Sequence, residues 1–138
     1  RAALAGTDSA YADRACATQL GVLRQRRNQY TPGRQSASAA GRVTIVLDDG
    51  VATGSSMIAA LLSVRQQGPA RLICATPVAA PDALRALRKY ADDVVCLETP
   101  RQFGAVSQYY RRFPQVEDRE VIDCLHGFWG SRGPRHAL

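Results

Sequence analysis

Two adjacent carboxylates, Asp48 and Asp49, close the apolar run Val43–Leu47 and lead at once into Gly50, Val51, Ala52, Thr53, Gly54, Ser55 and Ser56. The second part of this stretch has little bulk, three hydroxyls and a helix-like pattern behind it. Backbone N–H groups at the start of a helix have no partner inside it, so the segment 52–56 offers outward donors for an anion, above all a phosphate. Gly54 lets the backbone approach that anion with no Cβ in the way, and Thr53, Ser55 and Ser56 add hydroxyl donors. A helix end favours an anion by ~0.3–1 kcal/mol when exposed. Two carboxylates beside such a cradle would repel the phosphate unless they served another part of the ligand. A sugar diol or a bound cation a few ångströms away resolves the conflict, and a ribose 5-phosphate supplies the diol.

The surrounding pattern sets these residues in an α/β framework. Val43–Leu47, 72–78 and 94–97 read as strands that are apolar throughout, as strands of a parallel sheet covered on both faces do. Residues 55–67 and about 81–91 read as intervening helices. The first has Met57, Ile58, Leu61, Leu62 and Val64 on one side and stops at Gly68-Pro69; Pro81 opens the second, with Leu84, Leu87 and Ala91 facing inward. Upstream, residues 8–29 form a predicted helix capped by Asp8 or Ser9, with Tyr11, Ala15, Cys16, Leu20 and Leu23 at helical spacing. Downstream come a connector with Phe103, Tyr109, Tyr110 and Phe113, a short helix near 117–125, and a basic tail. The expected organisation is a helix and connector over 1–41, an α/β core over 42–127 and a flexible tail over 128–138. In such a sheet ligands sit outside the carboxyl ends of the strands, which is where Asp48 and Asp49 fall.

The stretch resembles the phosphoribosyl-diphosphate (PRPP) signature of type I phosphoribosyltransferases: an apolar run, Asp-Asp, two residues, then Ala-Thr-Gly-Ser-Ser. "GRVTIVLDDGVATGSSM", "GPARLICATPVAAPDALRAL", "ADDVVCLETP" and "FGAVSQYYRRFPQVEDREVIDCL" are similar to a bacterial subgroup of phosphoribosyltransferase-like proteins. The resemblance implies a Rossmann-like parallel sheet, here a β-α-β-α-β core with an N-terminal helix. It implies that Asp48 and Asp49 hold the ribose hydroxyls and act in catalysis, and that Ala52, Thr53, Gly54, Ser55 and Ser56 bind the 5′-phosphate, with Gly50 and Val51 completing the substrate-binding stretch. Mg²⁺ bridged by substrate oxygens and pyrophosphate are implied with them, no residue binding the metal directly. Phe103 and Tyr109 fall where the family's nucleobase hood lies, and Arg24, Arg26, Arg27 and Arg34 where it often has a mobile lid. Ala52 occupies a position that carries an acid in the hypoxanthine-type enzymes and thus resembles the adenine and orotate enzymes. In the family an earlier strand and pyrophosphate loop precede the signature, whereas about 40 residues reading as helix and connector precede Val43 here. A missing N-terminal segment, a second chain or a homodimer is therefore expected to cover an exposed apolar sheet edge.

Composition narrows the alternatives. The 138 residues carry a net charge of +6, almost wholly on arginine, with Lys89 the one lysine. This favours anionic partners such as PRPP or a nucleotide. The basic residues are dispersed, so nucleic acid is the weaker reading, and a nucleotide-sensing regulatory domain that binds nucleic acid or a protein is the rival to an enzyme. No apolar stretch approaches the ~20 residues of a membrane span. Cys16, Cys74, Cys96 and Cys124 lack paired spacing, consistent with reduced thiols in a cytoplasm. No His/Cys cluster has zinc spacing, and Ser55 and Ser56 have no histidine nearby in sequence for a hydrolase triad.

Overall fold

The computed structural model describes residues 4–130. These divide into two compact units, one made of residues 36–114 and the other of the flanking described segments 4–35 and 115–130. This division crosses the expected boundaries at residues 41 and 127.

The unit 36–114 is the α/β core. Strand β1 (Val43–Leu47) leads into helix α2 (Ser55–Arg65), strand β2 (Arg71–Val78), helix α3 (Pro81–Leu87) and strand β3 (Asp93–Glu98), with a 3₁₀ turn at Val106–Tyr109. The strands form one parallel sheet in the order β1-β2-β3. Val43 pairs with Arg71 and Leu47 with Ala75; Ile73 pairs with Asp93 and Val78 with Glu98. Parallel neighbours need a crossover, and α2 and α3 provide the two.

With strands in sequential order and crossovers of the usual right hand, both helices land on the same face of the sheet. The core shows this. Met57 and Leu61 of α2 and Ala83 and Leu87 of α3 pack in one cluster with Leu72 and Cys74 of β2, together with Val51 and Ala79. Leu61, Leu72, Cys74 and Leu87 are wholly buried. Burial raises the Cys74 thiol above its ordinary pKa, which keeps it protonated and inert.

Within this unit no helix lies on the opposite face, which departs from the expectation of strands covered on both sides. Val43, Ile45, Leu47, Val95 and Leu97 are more than half exposed, Leu97 at 77%. A continuous apolar strand says that both faces avoid water, but a three-strand sheet with two crossovers carries helices for only one of them. Leu62, expected on the inner side of α2, is also exposed.

An ion pair closes the core at the far end from the acid pair. Arg65, in the last turn of α2, forks onto Asp92 through both terminal nitrogens at 2.8 and 3.1 Å, and Asp92 also accepts the Leu72 N–H at 2.7 Å. These donors hold the Asp92 carboxyl below its ordinary range, Arg65 contributing most.

In the other unit, helix α1 (Leu4–Tyr30) begins earlier than expected, so Asp8 and Ser9 lie within it and do not cap it. Tyr11, Leu20 and Leu23 of its apolar stripe are exposed. Helix α4 (Asp118–Gly130) continues beyond residue 125 through Phe128; the rest of the expected tail, residues 131–138, lies outside those described. The Tyr30 hydroxyl donates to Asp118 at 2.5 Å, linking the end of α1 to the start of α4.

Candidate functional site

The carboxyl end of β1 is built by a chain that leaves its neighbour strand and returns to it in step. The Asp48 N–H donates to the Ala75 carbonyl at 3.2 Å and the Val51 N–H to the Val78 carbonyl at 2.9 Å, and the Ala80 N–H returns a bond to Val51. Leu47 pairs with Ala75 and Val51 bridges to Ala79, so the register is unchanged across the excursion. Asp48, Asp49 and Gly50 are the residues between these ties. Both aspartates are exposed, and an Asp48 carboxylate oxygen accepts the Asp49 N–H at 3.0 Å. Neither forms an ion pair among the described residues.

Gly54 then turns the chain into α2. It sits at the N-cap with φ 85° and ψ −7°, a left-handed conformation that side chains resist. Its carbonyl accepts the Ile58 N–H at 2.8 Å, the first bond of the helix. Gly54 has no side chain to cap α2, and the Ser55 N–H meets the Thr53 hydroxyl only at 3.5 Å, which leaves the Ser56 and Met57 amides available to a ligand. The Thr53 and Ser55 hydroxyls lie 3.4 Å apart. Asp48 and Gly50 to Met57 line one cavity of about 180 Å³. That volume is below the ~300–1,000 Å³ of pockets for drug-sized ligands, so it suits one polar end of a ligand.

The structure thus brings Asp48, Gly50, Val51, Ala52, Thr53, Gly54, Ser55 and Ser56 together around one space; Asp49 adjoins it without lining it. Phe103 and Tyr109 stack on each other, ring centroids 5.5 Å apart at 23°, and are not among the lining residues. Arg34 in the other unit lies with its guanidinium carbon 3.9 Å from the Trp129 ring centroid, a cation–π contact. Arg24, Arg26 and Arg27 are exposed on α1.

Two contacts at the acid turn have no sequence signal. The Tyr110 hydroxyl donates to the Asp49 carbonyl at 2.6 Å, across a separation of 61 residues. Val106 packs against Gly50 so closely that a Cβ there would fall 2.4 Å from a Val106 methyl. Tyr109 and Tyr110 are equivalent aromatics in the sequence, and only the fold separates their surroundings.

As for a cation, no group of three or more His, Cys, Asp or Glu that could hold a metal ion occurs among the described residues. The two exposed carboxylates, one with an oxygen engaged by a backbone amide, fit a hydrated Mg²⁺ that takes most of its ligands from water and substrate.

The profile of the phosphoribosyl transferase domain family matches residues 8–113. Over 118 residues the chain is 38% identical to the Mycobacterium tuberculosis H37Rv protein named "Putative phosphoribosyl transferase Rv0571c", and equally to its counterpart in strain CDC 1551 / Oshkosh. The match covers 86% of this chain and 27% of each relative, so the chain spans about a quarter of their length. Among solved structures, TT1426 from Thermus thermophilus superposes with a TM-score of 0.75 at 45% identity, covering 86% of this chain and 56% of that one.

Proposed function

From the membership of this chain in the phosphoribosyl transferase domain family, we propose that the turn 48–56 binds the ribose 5-phosphate portion of PRPP or of a nucleoside 5′-monophosphate, in transfer of a phosphoribosyl group between pyrophosphate and a nitrogenous base. The observation that carries this reading is the helix start itself. A left-handed Gly54 and an uncapped α2 frame a small cavity that also touches Asp48.

In this reading the amides and hydroxyls of 52–56 take the 5′-phosphate, and Asp48 and Asp49 accept hydrogen bonds from the 2′- and 3′-hydroxyls. As the bond from ribose C1 to pyrophosphate breaks, positive charge develops on the sugar ring. Two carboxylates held at the diol favour that state electrostatically and fix the ring's orientation. Ala52 has no titratable group, so the loop itself supplies no base for the acceptor's proton. Asp48 and Asp49 would hold a substrate-bound Mg²⁺ through water, and the ion would offset charge on the leaving pyrophosphate. The stacked Phe103 and Tyr109 are the proposed platform for the base.

Calorimetric titration of the full-length protein with PRPP and Mg²⁺, with ribose 5-phosphate, and with inorganic phosphate tests the assignment. Replacing both aspartates by asparagine removes charge-assisted acceptors worth ~1.5–3 kcal/mol each. The sugar phosphates are expected to lose affinity by about a hundredfold or more, while inorganic phosphate binds as before or better. Absence of PRPP and ribose 5-phosphate binding by the unaltered protein would refute the reading, and so would a double variant that binds ribose 5-phosphate normally.

A further inference from the structure

The turn that carries the acid pair is tied to β2 at Asp48 and at Val51, while the Asp49–Gly50 peptide between them has no bond to that strand. A peptide in that position can rotate about its flanking bonds without disturbing either tie. Displacement of the backbone around Asp49 would redirect its side chain and, because the Asp48 carboxylate accepts the Asp49 N–H, the neighbouring acid as well. Something must fix that peptide if two short carboxylates are to meet two adjacent hydroxyls.

We propose that Tyr110 is the positioning residue that does so, an inference that rests on the ribose-binding reading of the site. Its hydroxyl donates to the Asp49 carbonyl at 2.6 Å, at the short end of O–H···O geometry. Its ring is itself held, tilted at 48° against Phe113 with centroids 5.0 Å apart, so the hydroxyl is presented from a packed base. Val106 supplies the other half of the clamp. Its methyls fill the space beside Gly50, where an added Cβ would stand 2.4 and 2.7 Å from them. Glycine at position 50 therefore answers a close approach, and the approach presses the turn from the side that carries the hydrogen bond's donor segment. Residues 106–110 thus grip the acid turn at two consecutive residues, once by polarity and once by shape.

The same segment carries Tyr109, stacked on Phe103. The aromatic pair and the clamp share one short piece of backbone, so whatever sits on the rings and whatever sits on the acids are referred to a common frame. Tyr110 touches neither ligand in this account; it acts through the Asp49 carbonyl.

Tyr110→Phe keeps the ring against Phe113 and deletes the donor. In the full-length protein, calorimetry is expected to show ribose 5-phosphate binding weakened by about two- to tenfold, the effect of one net hydrogen bond. Inorganic phosphate, which needs only the helix start, should bind within twofold of the unaltered protein, and the thermal midpoint should fall by no more than the few degrees that one hydrogen bond is worth. Equal loss for both ligands would mark Tyr110 as a general structural residue and overturn the inference, as would no change for either. A second test does not depend on Tyr110. Gly50→Ala should weaken ribose 5-phosphate selectively, and adding Val106→Ala should restore at least half of the loss by reopening the space; failure of that rescue also overturns the clamp. If the unaltered protein binds inorganic phosphate but gains nothing from the sugar, the ribose reading falls and takes the inference with it, a result distinct from every variant-specific outcome.

Discussion

Replacing Gly54 by alanine separates backbone conformation from packing at the start of α2. A Cβ built on Gly54 meets Ala83 at 3.6 Å and Ile58 and Val51 at 3.8 Å, all ordinary van der Waals distances, so no overpacking follows. What remains is the φ of +85°. Holding an L-residue in the left-handed region costs roughly 1–2 kcal/mol, and alanine recovers part of that, about 0.4–1 kcal/mol, by restricting the unfolded chain. The net expectation is a loss of about 1 kcal/mol. Asparagine, which tolerates this region, should lose less; valine, β-branched and intolerant of it, should lose more. Urea unfolding reads the difference. With a slope of about 1–3 kcal/mol/M, the alanine variant should unfold at a midpoint lower by about 0.3–1 M with the slope unchanged. Ligand affinity should follow the same order, because the residue that relieves its strain by moving φ also re-aims the Ser55 and Ser56 amides. An alanine variant as stable as the original, or an asparagine variant less stable than the alanine one, would refute the conformational argument.

Two leucines contrast the faces of the sheet. Leu61→Ala, at a site with no exposure, should cost ~2–5 kcal/mol by chemical denaturation, whereas Leu97→Ala, at 77% exposure, should cost under about 0.5 kcal/mol; comparable losses would mean that the bare face is covered in solution. Asp92, whose folded pKa is depressed, lends stability that is present above the ordinary carboxylate value near ~4 and is lost as pH falls through the lower folded value. The stability gap between the original chain and Asp92→Asn should therefore be constant at neutral pH and shrink below about pH 4, and a gap independent of pH in thermal scans would contradict this. The paired Asp48→Asn and Asp49→Asn changes should leave the unfolding midpoint nearly unaltered, since neither side chain is buried or ion-paired among the described residues; a large drop would assign them to the fold.

The parallel core was legible because its signals are local. β-branched runs made β1 to β3, Pro81 opened α3, and the small, hydroxyl-rich run after Asp49 marked a turn into a helix. Gly54 stood out in the same run as a residue without Cβ, but its left-handed conformation is a finding of the structure. What escaped depended on pairs distant in sequence. Asp8 and Ser9 offered a cap, yet the residues before them continue the helix, and intrinsic capping preference does not stop a chain that can extend. The predicted last helix stopped near residue 125, but Arg34 stacked on Trp129 and Tyr30 bonded to Asp118 give α4 tertiary partners that outweigh the local cost of Gly127. The clamp of Tyr110 on Asp49 joins residues whose types carry no mutual code. The bare face of the sheet escaped for another reason: hydrophobicity reports a wish for cover and is silent about whether cover exists.

Surface turns in α/β proteins usually absorb insertions and deletions freely. The acid turn is different, because its two ends are tied to the same strand in one unbroken register, Leu47 to Ala75 and Val51 to Ala79. A single extra residue between Asp48 and Val51 would either release the Val51–Val78 bond or be taken up as a bulge that displaces the Asp49 carbonyl from Tyr110 and Gly50 from Val106. Chain length there is therefore as constrained as residue identity.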